Sequence, residues 1–465
     1  MITKLHAPGA ASRWLAPLLS AWLVACGQRA STDAPGTSSA SSASSIVNAV
    51  PSASAPSEDA GAASGADAAA PDASAAALVA PGAGEGKDFA DELAMLFRVA
   101  ACGNDGPIPE GLDAAVVKAH CDEVLTKIES YKKRYVSVAA PFLKELQPKG
   151  LPETVVYPFG GGDLVTALTT YGFAKEVTTI SLELAGDPRR IRKMSKNALT
   201  RSLRQLRVEL GELIFLDFSN SDTLKKTQRG DIPGELGLFL VGMVVHGFEP
   251  VGLRYFHLQP DGAVHYLSQA EIDEAESKIA THKKDSWTPP DFSEAFANVE
   301  ITFRTKGAPA GEPLRVHRHI AENLGNGRLS KDPSLLRHLE KKGRVTAMTK
   351  AASYLLWKDA FSQIRDYLLG HMDFMISDST GIPPALSLGA GFAVETYGTF
   401  KGSFVLADTT QNIAFIRYWK KQPQRPMPFT YGYTDSNRAD HLMVTRKADA
   451  AAPPTPPTPA PAASP

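Results

Sequence analysis

The densest chemistry in this 465-residue chain is a glycine turn, Tyr157-Pro158-Phe159-Gly160-Gly161-Gly162-Asp163. Glycines let a ligand approach the backbone, and a helix that follows offers unpaired N–H groups. Glu183 stands 23 residues after Gly160, at the end of the next apolar segment. A second polar turn, Ser377-Asp378-Ser379-Thr380-Gly381, also follows an apolar segment, and Lys350-Ala351-Ala352-Ser353-Tyr354 follows a third. Lysine, serine and tyrosine together suit anion binding or acid–base work. The candidate ligand set is therefore Gly160, Gly161, Gly162, Asp163, Glu183, Lys350, Ser353, Asp378 and Ser379, with no residue assigned to catalysis. Each turn also has a plainer reading. Asp163 can simply cap a helix, Asp378 can close an Asx turn, and Tyr354 can pack on a sheet. His317 and His319 alternate on one segment, and His257 and His265 flank a turn. Neither H-E-x-x-H nor C-x-x-C occurs, so no metal is expected.

These turns need elements to hold them. Thr154 to Tyr157 reads as a short strand, Leu164 to Tyr171 as a helix, and Val177 to Leu182 as a strand ending in Glu183. Pro188 begins a helix that is basic on one side (Arg189, Arg190, Lys193, Arg201, Arg204) and apolar on the other. The helix starting near Asp231 and Pro233 runs to Gly247, a natural left-handed cap. Val251 to Leu258 and Val264 to Leu267 form a hairpin around Pro260-Asp261-Gly262, and Val299 to Arg304 pairs with Leu314 to Ile320 in a second. Arg344 to Met348, Leu355 to Leu369 and Phe374 to Ser377 read strand, helix, strand. The fold class is thus α/β: a mainly parallel, Rossmann-like sheet covered by helices, with antiparallel hairpins added. In such sheets ligands sit outside the carboxyl ends of the strands.

The glycine turn and Glu183 resemble the first motif of S-adenosylmethionine methyltransferases and of dinucleotide-binding folds. That likeness implies a ribose-binding acid at Glu183. The spacing is GGGD instead of G-x-G-x-x-G, so no cofactor is predicted. Ser379 in a turn after a strand is similar to a hydrolase nucleophile elbow, which needs G-x-S-x-G and an immediate helix. Pro383-Pro384 are expected to block that helix.

At the N-terminus, Lys4 and Arg13 precede an apolar run of 12 residues, Trp14 to Ala25. The run is too short to span a membrane, which takes about 20 residues, and suits a signal peptide. It ends Leu23-Val24-Ala25-Cys26-Gly27. This resembles the bacterial lipobox. The resemblance implies cleavage before Cys26, lipidation of its thiol and acylation of the new amine, and Gly27 implies sorting to the outer membrane. Multiple acyl chains anchor stably where one does not.

Residues 26–87 are an Ala/Ser/Pro leash that cannot offset its own ordering entropy, with a root-mean-square span of about 40 Å. Residues 448–465 are a similar Pro/Ala tail. Residues 88–150 read as a helical hairpin around a Gly/Pro loop, and 151–447 as the α/β body. An exported chain meets oxidising conditions, so the remaining pair, Cys102 and Cys121, is expected to form a disulfide; two buried thiols are the alternative. Composition is globular, 43% hydrophobic and 21% charged, and the net charge of −1 gives no reason to expect a nucleic-acid partner. The expectation is a membrane-anchored envelope lipoprotein. Its body binds a small ligand, glycan or envelope protein. The alternative is an envelope transferase or hydrolase, methyltransferase-like, with its cleft at the carboxyl ends of the strands.

Overall fold

A computed structural model describes residues 86–211, 232, 234–279, 293–309, 311–352, 354–400, 409–432 and 440–448. Cys26, the leader, nearly all of the leash and tail, and Ser353 lie outside the described residues.

Ten strands form one sheet. They are β1 (Thr154–Pro158), β2 (Glu176–Ser181), β3 (Phe248–Leu258), β4 (Val264–Tyr266), β5 (Val299–Thr305), β6 (Arg315–Ala321), β7 (Val345–Thr349), β8 (Met372–Ser377), β9 (Phe392–Gly398) and β10 (His441–Lys447). Their order is β4-β3-β5-β6-β2-β1-β7-β8-β10-β9. The middle five, β6 to β8, are parallel. The expectation of a mainly parallel sheet is corrected: five of its nine junctions are antiparallel. The added strands make the difference. β3, β4 and β5 widen one edge, and β10 runs back between β8 and β9. The chain leaves β1 for β2 and later returns to the other side of β1 as β7. A switch in direction thus falls between β1 and β7.

The helices are α1 (Ala90–Val99), α2 (Ala114–Tyr131), α3 (Ser137–Glu145), α4 (Leu164–Thr170), α5 (Lys196–Leu210), α6 (Gly234–Val245), α7 (Gln269–Ser277), α8 (Asn326–Leu329), α9 (Ser334–Glu340), α10 (Ser362–His371), α11 (Pro384–Gly389) and α12 (Thr409–Lys421). They cover both faces. Val155 and Tyr157 of β1 enter one core with α1 to α6, while Val156 enters the other with α9 and α10. This is the two-residue alternation of a strand. With both faces covered, β1 and β2 read as nearly continuous buried runs.

Three element readings are corrected. The basic helix begun at Pro188 is two pieces. A 3₁₀ segment, Pro188–Lys193, ends at Met194 in extended backbone, and Ser195 then caps α5. The helix expected from Leu355 starts as two 3₁₀ turns and becomes α10 only at Ser362. Pro383-Pro384 do not block a helix: Pro384 opens α11, where its missing N–H costs nothing.

Cys102 and Cys121 are joined by a disulfide. It ties the loop after α1, which lies on β3, to α2, which lies on α5. No helix among the described residues is long and apolar enough to cross a membrane.

Candidate functional site

The turn after β1 is held tightly. Gly160 donates its N–H to the Ile180 carbonyl at 3.1 Å, which binds the turn to β2. Phe159 adopts φ +61° and Gly161 φ +48°. That left-handed stretch suits glycine and strains phenylalanine. Asp163 caps α4: one oxygen accepts from the Thr166 amide at 3.3 Å and its hydroxyl at 2.6 Å. The other accepts from the Tyr157 phenol at 3.0 Å. Burial, reinforced by the Asp163 carboxylate, pushes the Tyr157 phenol well above its usual range, so it stays a neutral donor. Gly162 has no room for a side chain. A Cβ there meets Leu238 Cδ1 at 2.4 Å and Glu235 Oε2 at 2.8 Å, because the start of α6 rests on the turn.

Lys350 leaves β7 and turns toward the same place. Its Nζ lies 3.8 Å from Asp163 Oδ2, 3.4 Å from Thr166 Oγ1 and 5.6 Å from the Tyr431 ring centre. Asp378, fully buried after β8, accepts from the Ala351 amide at 2.9 Å and the Thr380 amide at 2.8 Å, and also from the Thr380 hydroxyl. Asp163, Lys350 and Asp378 thus converge as the sequence suggests, yet each is engaged by the protein itself.

Ser379 meets a partner that sequence reasoning missed. His441 Nε2 is 2.7 Å from its Oγ, and Tyr354 Oη is 3.2 Å away. A serine within reach of an imidazole is the minimum of a nucleophile–base pair. Both residues are fully buried, however, with Phe400 and Trp419 against the imidazole and the Trp357 indole N–H bonded to the Ser379 carbonyl. The pair fastens the Asp378 turn to β10. No local motif marks it, since β10 lies beside β8 only through the long return of the chain.

On the other side of the glycine turn the arrangement differs. Glu183 is 5% exposed, and its Oε2 lies 3.7 Å from where a Gly161 Cβ would be. Its main chain is fixed by Ser181 Oγ, which accepts from its amide, and by His319 Nε2, 2.7 Å from its carbonyl. No described residue donates to its carboxylate. Beside it lies Glu235, 1% exposed, with neither oxygen hydrogen-bonded. Burial, then the carboxylates of Glu183 and Glu209, push the Glu235 carboxyl well above its usual value. Sequence reasoning missed Glu235 because an acid in the first turn of a helix reads as ordinary capping.

Behind Glu183, His317 Nε2 and His319 Nδ1 each lie 3.0 Å from Thr179 Oγ1. Burial pushes His319 down to about 4 and His317 well below its usual value, so both are neutral. The tautomers follow. His319 Nε2 donates to the Glu183 carbonyl, its Nδ1 accepts from Thr179, and Thr179 accepts from His317 Nε2. The two histidines form a relay that positions Glu183. Among the described residues no cluster of histidine, cysteine and carboxylate side chains is arranged to hold a metal ion. His257 and His265 face each other across β3 and β4.

The polar turns at the carboxyl ends of β2, β1, β7 and β8 thus stand in one row. Its β7–β8 half is braced internally, and its β1–β2 half presents two buried acids beside a glycine backbone. No family model, curated protein or solved structure matches the chain.

Proposed function

We propose that the protein is a lipid-anchored cell-envelope lipoprotein whose α/β body binds a small ligand at the carboxyl ends of β1 and β2. The observation that carries the binding reading is Glu235, buried beside Glu183 and the glycine turn with neither of its carboxyl oxygens hydrogen-bonded among the described residues. Buried polar groups are normally satisfied, and a ligand is what supplies the missing donors. The lipobox-like Leu23-Val24-Ala25-Cys26 supports the anchor, and the Ala/Ser/Pro leash supports reach away from the lipid surface.

A second reading, a methyltransferase-like transferase, draws support from the strand order β6-β2-β1-β7-β8. Parallel strands that wind outward both ways from the first are the plan of Rossmann-like, nucleotide-binding sheets. Against it, Asp163, Lys350 and Asp378 are all committed to internal contacts.

Thermal shift on the detergent-solubilised protein separates the two readings. Nucleotides, S-adenosylmethionine, amino acids, amines and sugars are screened against wild type and Glu183→Ala. A ligand that raises the melting temperature of wild type alone supports the cleft. If that ligand is an S-adenosyl compound, the transferase reading replaces simple binding. A screen in which no compound separates the two proteins overturns the cleft. The anchor is tested apart from it. Cys26→Ser is expected to move the protein from the membrane to the soluble fraction, and acylated, membrane-bound Cys26→Ser protein would refute the lipobox reading.

A further inference from the structure

We infer that the group received by Glu183 and Glu235 is an organic cation with several N–H donors, an ammonium or guanidinium, and not a neutral or anionic ligand. This rests on the cleft reading above and names the chemistry of its ligand.

The argument begins with what surrounds Glu235. Its carboxyl oxygens touch the glycine turn, with Oε2 2.8 Å from the Cβ that Gly162 lacks. Neither oxygen has a hydrogen-bond partner, although the residue is 1% exposed. Leaving a carboxyl group unmet in the interior costs free energy whether it is neutral or charged. The residues that bear on it electrostatically are also acids: Glu183 at the end of β2, and Glu209 of α5, which accepts from Gln205 Nε2 at 2.9 Å. Lys350, on the far side of the turn, points at Asp163 and Thr166 instead. Among the described residues, the charges that bear on Glu235 are thus negative, and the two carboxyl groups offer acceptors.

Each ligand class answers this differently. An anion adds to the repulsion. A neutral hydroxyl donor fills hydrogen bonds but leaves the acids uncompensated. A cation with several N–H groups does both. It donates to the two carboxyls and supplies the opposite charge that lets Glu235 ionise. The planar fork of a guanidinium can address two carboxylates at once.

The test uses the full-length, detergent-solubilised protein, with agmatine and 1,4-diaminobutane as cationic probes and butane-1,4-diol and adenosine as neutral ones. Calorimetric titration is expected to show binding of at least one cation and of neither neutral probe. Glu235→Leu and Glu183→Gln should each weaken that binding at least about tenfold. Without ligand, Glu235→Leu should melt at a higher temperature than wild type, because it removes the unmet carboxyl. Should Glu235→Leu fail to fold, Glu235→Gln keeps the shape, loses the charge and must show the same loss of affinity. Binding of adenosine or the diol, sensitive to Glu183→Gln, with no cation binding overturns the cationic assignment and leaves the cleft standing. Cation binding that survives both substitutions places it elsewhere and also overturns the assignment. If none of the probes binds, the assignment fails; the cleft falls with it only when the wider screen against Glu183→Ala is also blank.

Discussion

Asp378→Ala should destabilise the protein by about 3–4 kcal/mol, because it removes the acceptor around which the β7 and β8 turns are folded. The carboxylate is fully buried and takes the Ala351 amide at 2.9 Å, the Thr380 amide at 2.8 Å and the Thr380 hydroxyl. Hydrogen bonds to a charged group contribute about 1.5–3 kcal/mol each, and stranding their donors adds a desolvation cost. Two further features raise the sensitivity. Ala351 sits at φ +55°, a left-handed conformation that costs a residue with a side chain, and the hydrogen bond its N–H donates to Asp378 helps hold it there. Thr380 Oγ1 in turn accepts from the Ala352 amide at 2.9 Å, so the brace passes from one turn to the other. Asp378→Asn should cost less than Ala but still more than about 1 kcal/mol, since one amide donor must then face a backbone donor. Urea unfolding of the three proteins checks this, read as a fall in midpoint at constant slope. If Ala and Asn both stay within about 0.5 kcal/mol of wild type, the usual surface-mutation range, the brace is not structural and Asp378 returns to the list of candidate ligand groups.

The brace also shows what the sequence could and could not reveal. The elements around the glycine turn were legible, because their signals are local. Thr154–Pro158 is a buried apolar run, Asp163 caps the helix it precedes, and Glu183 stands just past the end of β2. The Pro188 segment reads as one continuous helix from its apolar stripe, although Asp187 and Ser195 are both capping residues, each accepting from an amide two or three positions on. Two caps in nine residues mean two helices, and that information was present. Pairing direction was not. A two-residue alternation is the same in a parallel and an antiparallel strand; the Pro260-Asp261-Gly262 turn gives β3 its antiparallel neighbour β4, but nothing local in His441–Lys447 says which neighbours it takes. The same limit hid Glu235 and His441. Glu235 matters because α6 lands on Gly162, and His441 because β10 inserts beside β8. Both are consequences of topology, which no spacing in the chain states.

The opposite end of the parallel strands carries the second large effect. Glu176, at the start of β2, is buried with Lys342 and Arg318; the Arg318 Nη1 to Glu176 Oε1 distance is 2.8 Å, and Lys342 bonds the same oxygen. Arg318 also reaches Glu300 Oε2 at 2.7 Å, and the Tyr266 phenol donates to that oxygen at 2.8 Å. Burial alone would raise the Glu176 carboxyl, but Lys342 and Arg318 outweigh it and hold the group down to about 2. Burial also lowers Lys342, with Glu176 opposing. Lys342→Met removes one partner of a buried ion pair, for which the usual cost is about 3–5 kcal/mol at neutral pH. The sign with pH follows from Glu176. Its folded-state value lies below its ordinary 4.5, so its contribution is present above that value and is lost as pH falls toward about 2. The gap between wild type and Lys342→Met should therefore narrow across that window. At its acid end the gap should close, because wild type still buries the Lys342 ammonium with only Glu300 left to oppose that cost. Replacing both partners, Glu176→Leu with Lys342→Met, should recover part of the loss, since no charge is then left without its partner. Urea midpoints of the three proteins at pH 7 and in the acid window decide the matter. A gap that is the same at both, with no recovery in the double variant, would mean that Lys342 contributes through the packing of its alkyl stem and that its charge is incidental.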